Sequence, residues 1–173
     1  AWNSDTFFSL IKAFELPTNN QIKTFSRGMR MKAALTIALS HDAKLLILDE
    51  ATAGMDVSGR EHVLEILEDY LGDNRAILIS SHISEDIEQL ATQLVFMRDG
   101  RIILKESKEV LLSHYGIIDQ PVEHFNISNE YLIATRRRND RQISLVNNYQ
   151  KVPDAQPLKT IDDATKIIMR GEL

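Results

Sequence analysis

Cysteine is absent from the 173-residue sequence, which excludes a disulfide framework and any thiolate metal site and leaves an oxidising compartment without support. Long apolar runs are missing too. The stretches Leu45 to Leu48 and Ala76 to Ile79 are far shorter than the roughly 20 residues needed to cross a bilayer, so the chain is expected to be soluble. Its first residues, Ala1-Trp2-Asn3, are not the basic and apolar opening of a secretory leader, and without an initiator methionine the chain is expected to be a trimmed one. Nor is basic charge in excess. The 20 Lys and Arg stand against 25 Asp and Glu, a formal net charge of -5. That balance argues against a nucleic-acid partner, because phosphate backbones are held by clustered cations. What remains, 43% hydrophobic and 26% charged residues, can bury a core of ordinary size. One main domain with a small appendage is expected.

Ser4 or Asp5 is placed to cap a first helix whose apolar residues Phe7, Phe8, Leu10, Ile11 and Phe14 recur at helical spacing until Pro17. The phenylalanines read chiefly as core. A second periodic segment runs from Ser26, in N-cap position, to about Leu39. Leu45-Leu46-Ile47-Leu48 is a continuous apolar run ending in two carboxylates, the pattern of a strand buried on both faces of a parallel sheet. Helix Ser58 to Leu71, strand Ala76 to Ile79 and helix Ser84 to Ala91 follow, so the expected fold is α/β with a mainly parallel sheet. Leu94 to Met97 and Ile102 to Leu104 flank Asp99-Gly100 as a hairpin. Beyond Tyr115, Pro121, Pro153 and Pro157 interrupt a less regular region. There Tyr131 to Thr135 and Ile143 to Val146 read as a second hairpin closed by a charged turn, Arg136 to Arg141, and a short helix from Asp162 to about Arg170 ends the pattern. Three segments are expected: 1–40, helical; 41–115, the α/β core; and 116–173, a small α+β accessory region.

The strand Leu45 to Leu48 delivers Asp49 and Glu50 to its C-terminal end, where ligands sit in open α/β sheets. Neighbouring side chains on a strand diverge, so the two can divide labour. Asp49 can hold a Mg²⁺ ion through water, while Glu50 can polarise an attacking water. Taken singly, the pair serves equally well as a cap for the next helix. Its company decides between the two: Phe25-Ser26-Arg27-Gly28-Met29 upstream, Asp56 shortly after, and His82 following the apolar strand and Ser80-Ser81.

From Thr24 to about Ser107 this order resembles the ABC ATPase family, in which a signature motif, a Walker B strand, a D-loop and a switch histidine follow one another. Phe25 to Met29 occupies the place of the family's LSGGQ signature. Ser26 and Gly28 match it, whereas Arg27 replaces the first glycine and Met29 the glutamine. Ala51 stands where a proline is common, and Ala53-Gly54-Met55-Asp56 replaces the usual D-loop wording. The resemblance implies that Asp49 supports the metal, Glu50 is the catalytic carboxylate, Asp56 is the D-loop aspartate and His82 touches the terminal phosphate. A serine hydroxyl and a glycine N–H at a helix start form a ready anion site, so Ser26 and Gly28 would cap ATP. His41, His62, His114 and His124 have no comparable company, and no metal-ligand spacing links them.

A P-loop requires G-x-x-x-x-G-K-[ST], and the sequence contains none. Gly54 and Gly59 have the glycine spacing, but Arg60-Glu61 follows, and Glu61 would repel phosphate. In the family the P-loop lies upstream of the signature, hence upstream of residue 1. The resemblance therefore implies the C-terminal part of an ATP-hydrolysing subunit of bacterial exporter type, inactive by itself, with ATP and Mg²⁺ as cofactors. It also implies a head-to-tail homodimer with a second ATP-binding cassette, a transmembrane permease partner met through the first helix, and a cytoplasmic place on the inner face of the cell membrane. A soluble ABC ATPase working on DNA or ribosomes would be marked by coiled-coil insertions or twin cassettes, and a non-catalytic module by loss of Glu50 or His82. The sequence has neither mark. The basic cluster Arg136, Arg137, Arg138 and Arg141 reads as a solvated turn.

Overall fold

Phe7, Leu10, Ile11 and Phe14 follow the i, i+3, i+4, i+7 rule, and they form one stripe along helix α1 (Ser4–Ala13) and its C-cap residue Phe14 in the computed structural model, which describes residues 1–72 and 74–172. Contacts divide the chain into two compact units, Ala1–Leu90 and Ala91–Leu173. The boundary expected after residue 40 falls inside the first unit and that after residue 115 inside the second.

In the first unit α1 is capped by Asn3, whose side chain accepts from Thr6 N–H at 3.0 Å, and not by Ser4 or Asp5. The helix ends before Pro17, as Glu15 takes a left-handed φ of 54° and Leu16 N–H returns to the Ile11 carbonyl. Phe14 is buried, Phe7 stacks on Trp2 at 5.1 Å, and Phe8, expected in the core, is 66% exposed because it lies off the apolar stripe. Helix α2 (Arg27–Leu39) starts on Ser26, whose hydroxyl accepts from Met29 N–H at 3.2 Å. Strand β1 (Leu45–Asp49), α3 (Val57–Tyr70), β2 (Ala76–Ser80) and α4 (Ser84–Leu90) complete the unit. β1 and β2 pair in parallel from Leu45 opposite Ala76 to Asp49 opposite Ser80, with α3 as the crossover. Leu46, with Leu48, Ile77 and Ile79, packs against a core built from Phe14, Leu35, Leu39, Val63 and Leu67. Burial on both faces is not what the structure has. Leu45, Ile47 and Leu78 point the other way and are 53%, 72% and 59% exposed, because α1, α2 and α3 contribute to the core on one face alone.

The second unit runs β3 (Gln93–Arg98), β4 (Arg101–Ser107), α5 (Lys108–His114), β5 (Gly116–Pro121), β6 (Leu132–Arg138), β7 (Arg141–Val146), β8 (Gln156–Pro157) and α6 (Ile161–Arg170). The expected α/β fold stands, but the mainly parallel sheet is narrowed to β1–β2. Every other named pairing is antiparallel, as the strands joined by tight turns, β3–β4 and β6–β7, must be. Asp99 and Gly100 turn the first hairpin with φ of 50° and 73°. In the second hairpin the loop is Asn139-Asp140 alone, so Arg136, Arg137, Arg138 and Arg141 belong to strands rather than to a charged turn. Helix α5 and strand β5 had no sequence expectation. Ser107 caps α5 by accepting from Val110 N–H at 3.1 Å, and β5 joins β7 and β8. Arg98 donates through Nη1 to the carbonyls of Ile168 and Gly171, both at 2.6 Å, closing the C-terminal end of α6.

Tyr115 is 6% exposed and donates its phenolic proton to Glu106 at 3.2 Å. Burial, reinforced by the Glu106 carboxylate, pushes its pKa up to about 12 from 10.0. The folded state thus keeps a proton that the unfolded chain loses first. Stability from this group is complete below pH ~10 and is lost as pH rises through ~12. Urea unfolding followed by circular dichroism should therefore show the midpoint falling across that window more steeply for the wild type than for Tyr115→Phe. Equal slopes would refute the assignment.

Candidate functional site

The parallel pairing sets Asp49 beside Ser80, and the Ser80 hydroxyl donates to Asp49 Oδ1 at 2.5 Å. One residue on, Glu50 leaves the strand with φ 51°, a left-handed conformation that L side chains adopt at a cost. Its N–H meets the Ser80 carbonyl at 3.1 Å and its carbonyl accepts from Ala53 N–H at 3.0 Å, so the turn is held from both sides. The reversal brings Glu50 Oε2 into direct contact with His82 Nδ1. The His82 side chain is 71% exposed and that of Glu50 35%. A carboxylate against an imidazole, open to solvent at the C-terminal ends of two parallel strands, can hold and orient a water molecule and take its proton.

Ser26 and Gly28 stand apart from that pair. The oxygen of Ser26 is engaged as the cap of α2, and Gly28 rests on the turn at 54–55, where an added Cβ would lie 3.5 Å from the Gly54 carbonyl. Gly54 has φ 79°, and Arg27 crosses it so closely that a Cβ would come within 2.8 Å of Arg27 Cδ. Asp56 occupies the N-cap position of α3 without a side-chain cap bond. Its Oδ1 overlies Gly59, 2.7 Å from where a Cβ would stand, so a larger residue there would turn the Asp56 carboxylate aside. The structure thus joins Asp49 to Glu50 through Ser80 and Glu50 to His82 directly, and seats Gly28 against the turn that leads to Asp56.

The ABC transporter family model matches residues 4–53, the stretch holding Ser26, Gly28, Asp49 and Glu50. A lantibiotic transport ATP-binding protein of Streptococcus pyogenes, SrtF, is 41% identical over 116 residues, covering 67% of this chain and 47% of that protein. The chain belongs to the ABC transporter ATP-binding family. NatA of Bacillus subtilis, an ABC transporter ATP-binding protein, is 32% identical over 93 residues, 54% of this chain and 38% of its own. In fold, the ABC chain is similar to a solved putative cobalt transport ATP-binding protein, with a TM-score of 0.60 at 19% identity over 84% of this chain and 53% of that one. It spans about half the length of the curated relatives it matches.

Among the described residues of the ABC chain, no cluster of three or more His, Asp or Glu is placed to hold a metal. Asp49 offers one carboxylate, with one oxygen bonded to Ser80. That donor set fits Mg²⁺, which takes one or two carboxylates and fills its remaining positions with water and phosphate. Four residues of the site had no expected role: Thr52, Ser80, Ser81 and Asp86. Ser80 and Ser81 were visible as neighbours of His82, but nothing in the sequence set Asp86 apart from the acidic residues that open many helices.

The left-handed turn over which Arg27 lies yields a test. Gly54→Ala should lower the unfolding free energy by about 1–2 kcal/mol, the cost of a Cβ at positive φ, as measured by urea denaturation. Arg27→Ala in the same background should recover little of it, since the Arg27 side chain can swing aside and the backbone cannot.

Proposed function

We propose that this chain supplies the catalytic carboxylate, the switch histidine and the signature serine of an ATP-hydrolysing cassette that drives export through a transmembrane permease. The observation that carries the reading is the direct contact of Glu50 with His82 beside Asp49. In this reading Glu50 takes a proton from the water that attacks the terminal phosphate. His82 steadies the Glu50 carboxylate through Nδ1 and leaves Nε2 for the phosphate itself. Asp49 would hold Mg²⁺ through water, and that ion would neutralise phosphate charge. Ser26, Gly28 and the helix dipole of α2 face ATP gripped by a second copy in a head-to-tail dimer, with Asp56 near the same junction. The ATP grip comes from a P-loop outside these 173 residues, because the sequence has no G-x-x-x-x-G-K-[ST]. Helix α1 meets the permease, which places the cassette in the cytoplasm on the inner membrane face. Among the described residues no helix is long and apolar enough to cross a membrane. The transported class is a peptide, an antibiotic or a lipid-like molecule, the first two supported by the lantibiotic transport named for SrtF.

In the complete cassette, with its P-loop present, Glu50→Gln should cut ATP turnover by roughly 100-fold or more while ATP still binds within a few-fold of the wild type. Turnover at the wild-type rate would remove Glu50 from the chemistry. The 173-residue chain alone should show no ATPase activity above background. A rate in that chain that Glu50→Gln abolishes would show that it does not need the P-loop.

A further inference from the structure

Asp86, the third residue of α4, has no exposed surface. A buried carboxylate is costly unless several partners compensate it, and each of its partners belongs to an element that forms the site. Its Oδ2 accepts a short hydrogen bond from the Thr52 hydroxyl, two residues after Glu50. The same oxygen accepts from Ser81 Oγ at 3.4 Å, one residue before His82. Ser81 Oγ is itself the acceptor for Ile83 N–H at 3.0 Å. Its single proton faces the Asp86 carboxylate and the more distant Ile83 carbonyl at 3.5 Å, and the charged acceptor is the stronger. On the other side Arg60 Nε of α3 stands 3.4 Å from Oδ1. Both atoms are buried without a hydrogen bond of good geometry, so charge alone holds that contact.

We propose that Asp86 is a positioning residue for ATP hydrolysis. It holds Thr52 and Ser81 on one buried carboxylate and thereby fixes the separation of the loops that present Glu50 and His82. Ser80 ties Asp49 to the Glu50 N–H, and Asp86 ties Thr52 to Ser81, so the two loops are held together at two places. Rigid support of this kind acts on the orientation of a reacting group rather than on substrate binding, and small displacements of such groups are expensive in rate.

The inference rests on the roles given above to Glu50 and His82, and the test separates the two. In the complete cassette, Thr52→Val and Ser81→Ala each remove one hydroxyl from Asp86 without touching the nucleotide residues, and Asp86→Ala removes the hub. Each of the first two should lower kcat by about tenfold, with KM for ATP within twofold, in urea-free buffer where the fold is retained; the urea midpoint should fall as well, because each leaves the buried carboxylate with one hydrogen-bond partner fewer. Asp86→Ala should lower kcat further. If Asp86→Ala does not fold, Thr52→Val and Ser81→Ala decide. If Glu50→Gln is inactive while both of these keep kcat within twofold of the wild type, or lose only KM, the positioning role is wrong and the catalytic reading stands. If Glu50→Gln turns over normally, the catalytic reading falls and takes this inference with it.

Discussion

Asp49 lies opposite Ser80 because β1 and β2 pair in parallel without a slip, and this register underlies everything the site does. A shift of one residue would turn every side chain of one strand to the other face. What pins the register is apolar burial: Leu46 and Leu48 on one strand, Ile77 and Ile79 on the other, all on the face that meets the helical core. The polar geometry is therefore set by side chains that take no part in it. The same register makes the inverted backbone at Glu50 tolerable, since the Ser80 carbonyl is in place to receive its N–H and the turn closes on Ala53. A non-glycine residue in that conformation persists only where its surroundings over-determine it.

Local signals were readable wherever a single rule dominated. The alternation of strand and helix from Leu45 to Leu90 follows from the change between continuous apolar runs and 3.6-residue periodicity. Ser26 was recognisable as a cap because a hydroxyl precedes a periodic run. Asp99-Gly100 was recognisable as a turn because both residues tolerate positive φ. Asp49 and Glu50 were legible as carboxylates at the C-terminal end of an apolar strand, whereas their grouping with His82 came from the resemblance of the motif order to the ABC ATPase family.

What stayed hidden depends on partners distant in sequence. Leu45, Ile47 and Leu78 look no different from Leu46 and Ile79, and only the one-sided placement of the helices separates them. The arginines of β6 and β7 resemble a turn in composition, yet the antiparallel ladder continues through them as far as Arg138 opposite Arg141. Helix α5 has seven residues, too few for periodicity to show, and β5 presents only Ile117 and Ile118 as a strand signal. Asn3 competed with two equally good capping residues next to it. Asp86 is the clearest case, because its burial and its bonds to Thr52 and Ser81 span 34 and 5 positions respectively and leave no trace in its immediate neighbours.

The guanidinium of Arg98 joins the end of β3 to the last turn of α6, across 70 and 73 positions of sequence. A cell makes this chain from the N-terminus, so β3 emerges with its cationic side chain long before the carbonyls that will receive it exist. The clasp can close only once residues 168–171 have left the ribosome, which makes the second unit a late, non-local folder. Translation thus builds a delay into the protein: the Glu50 and His82 strands are synthesised, and can pair, while the other unit is still waiting for its final helix.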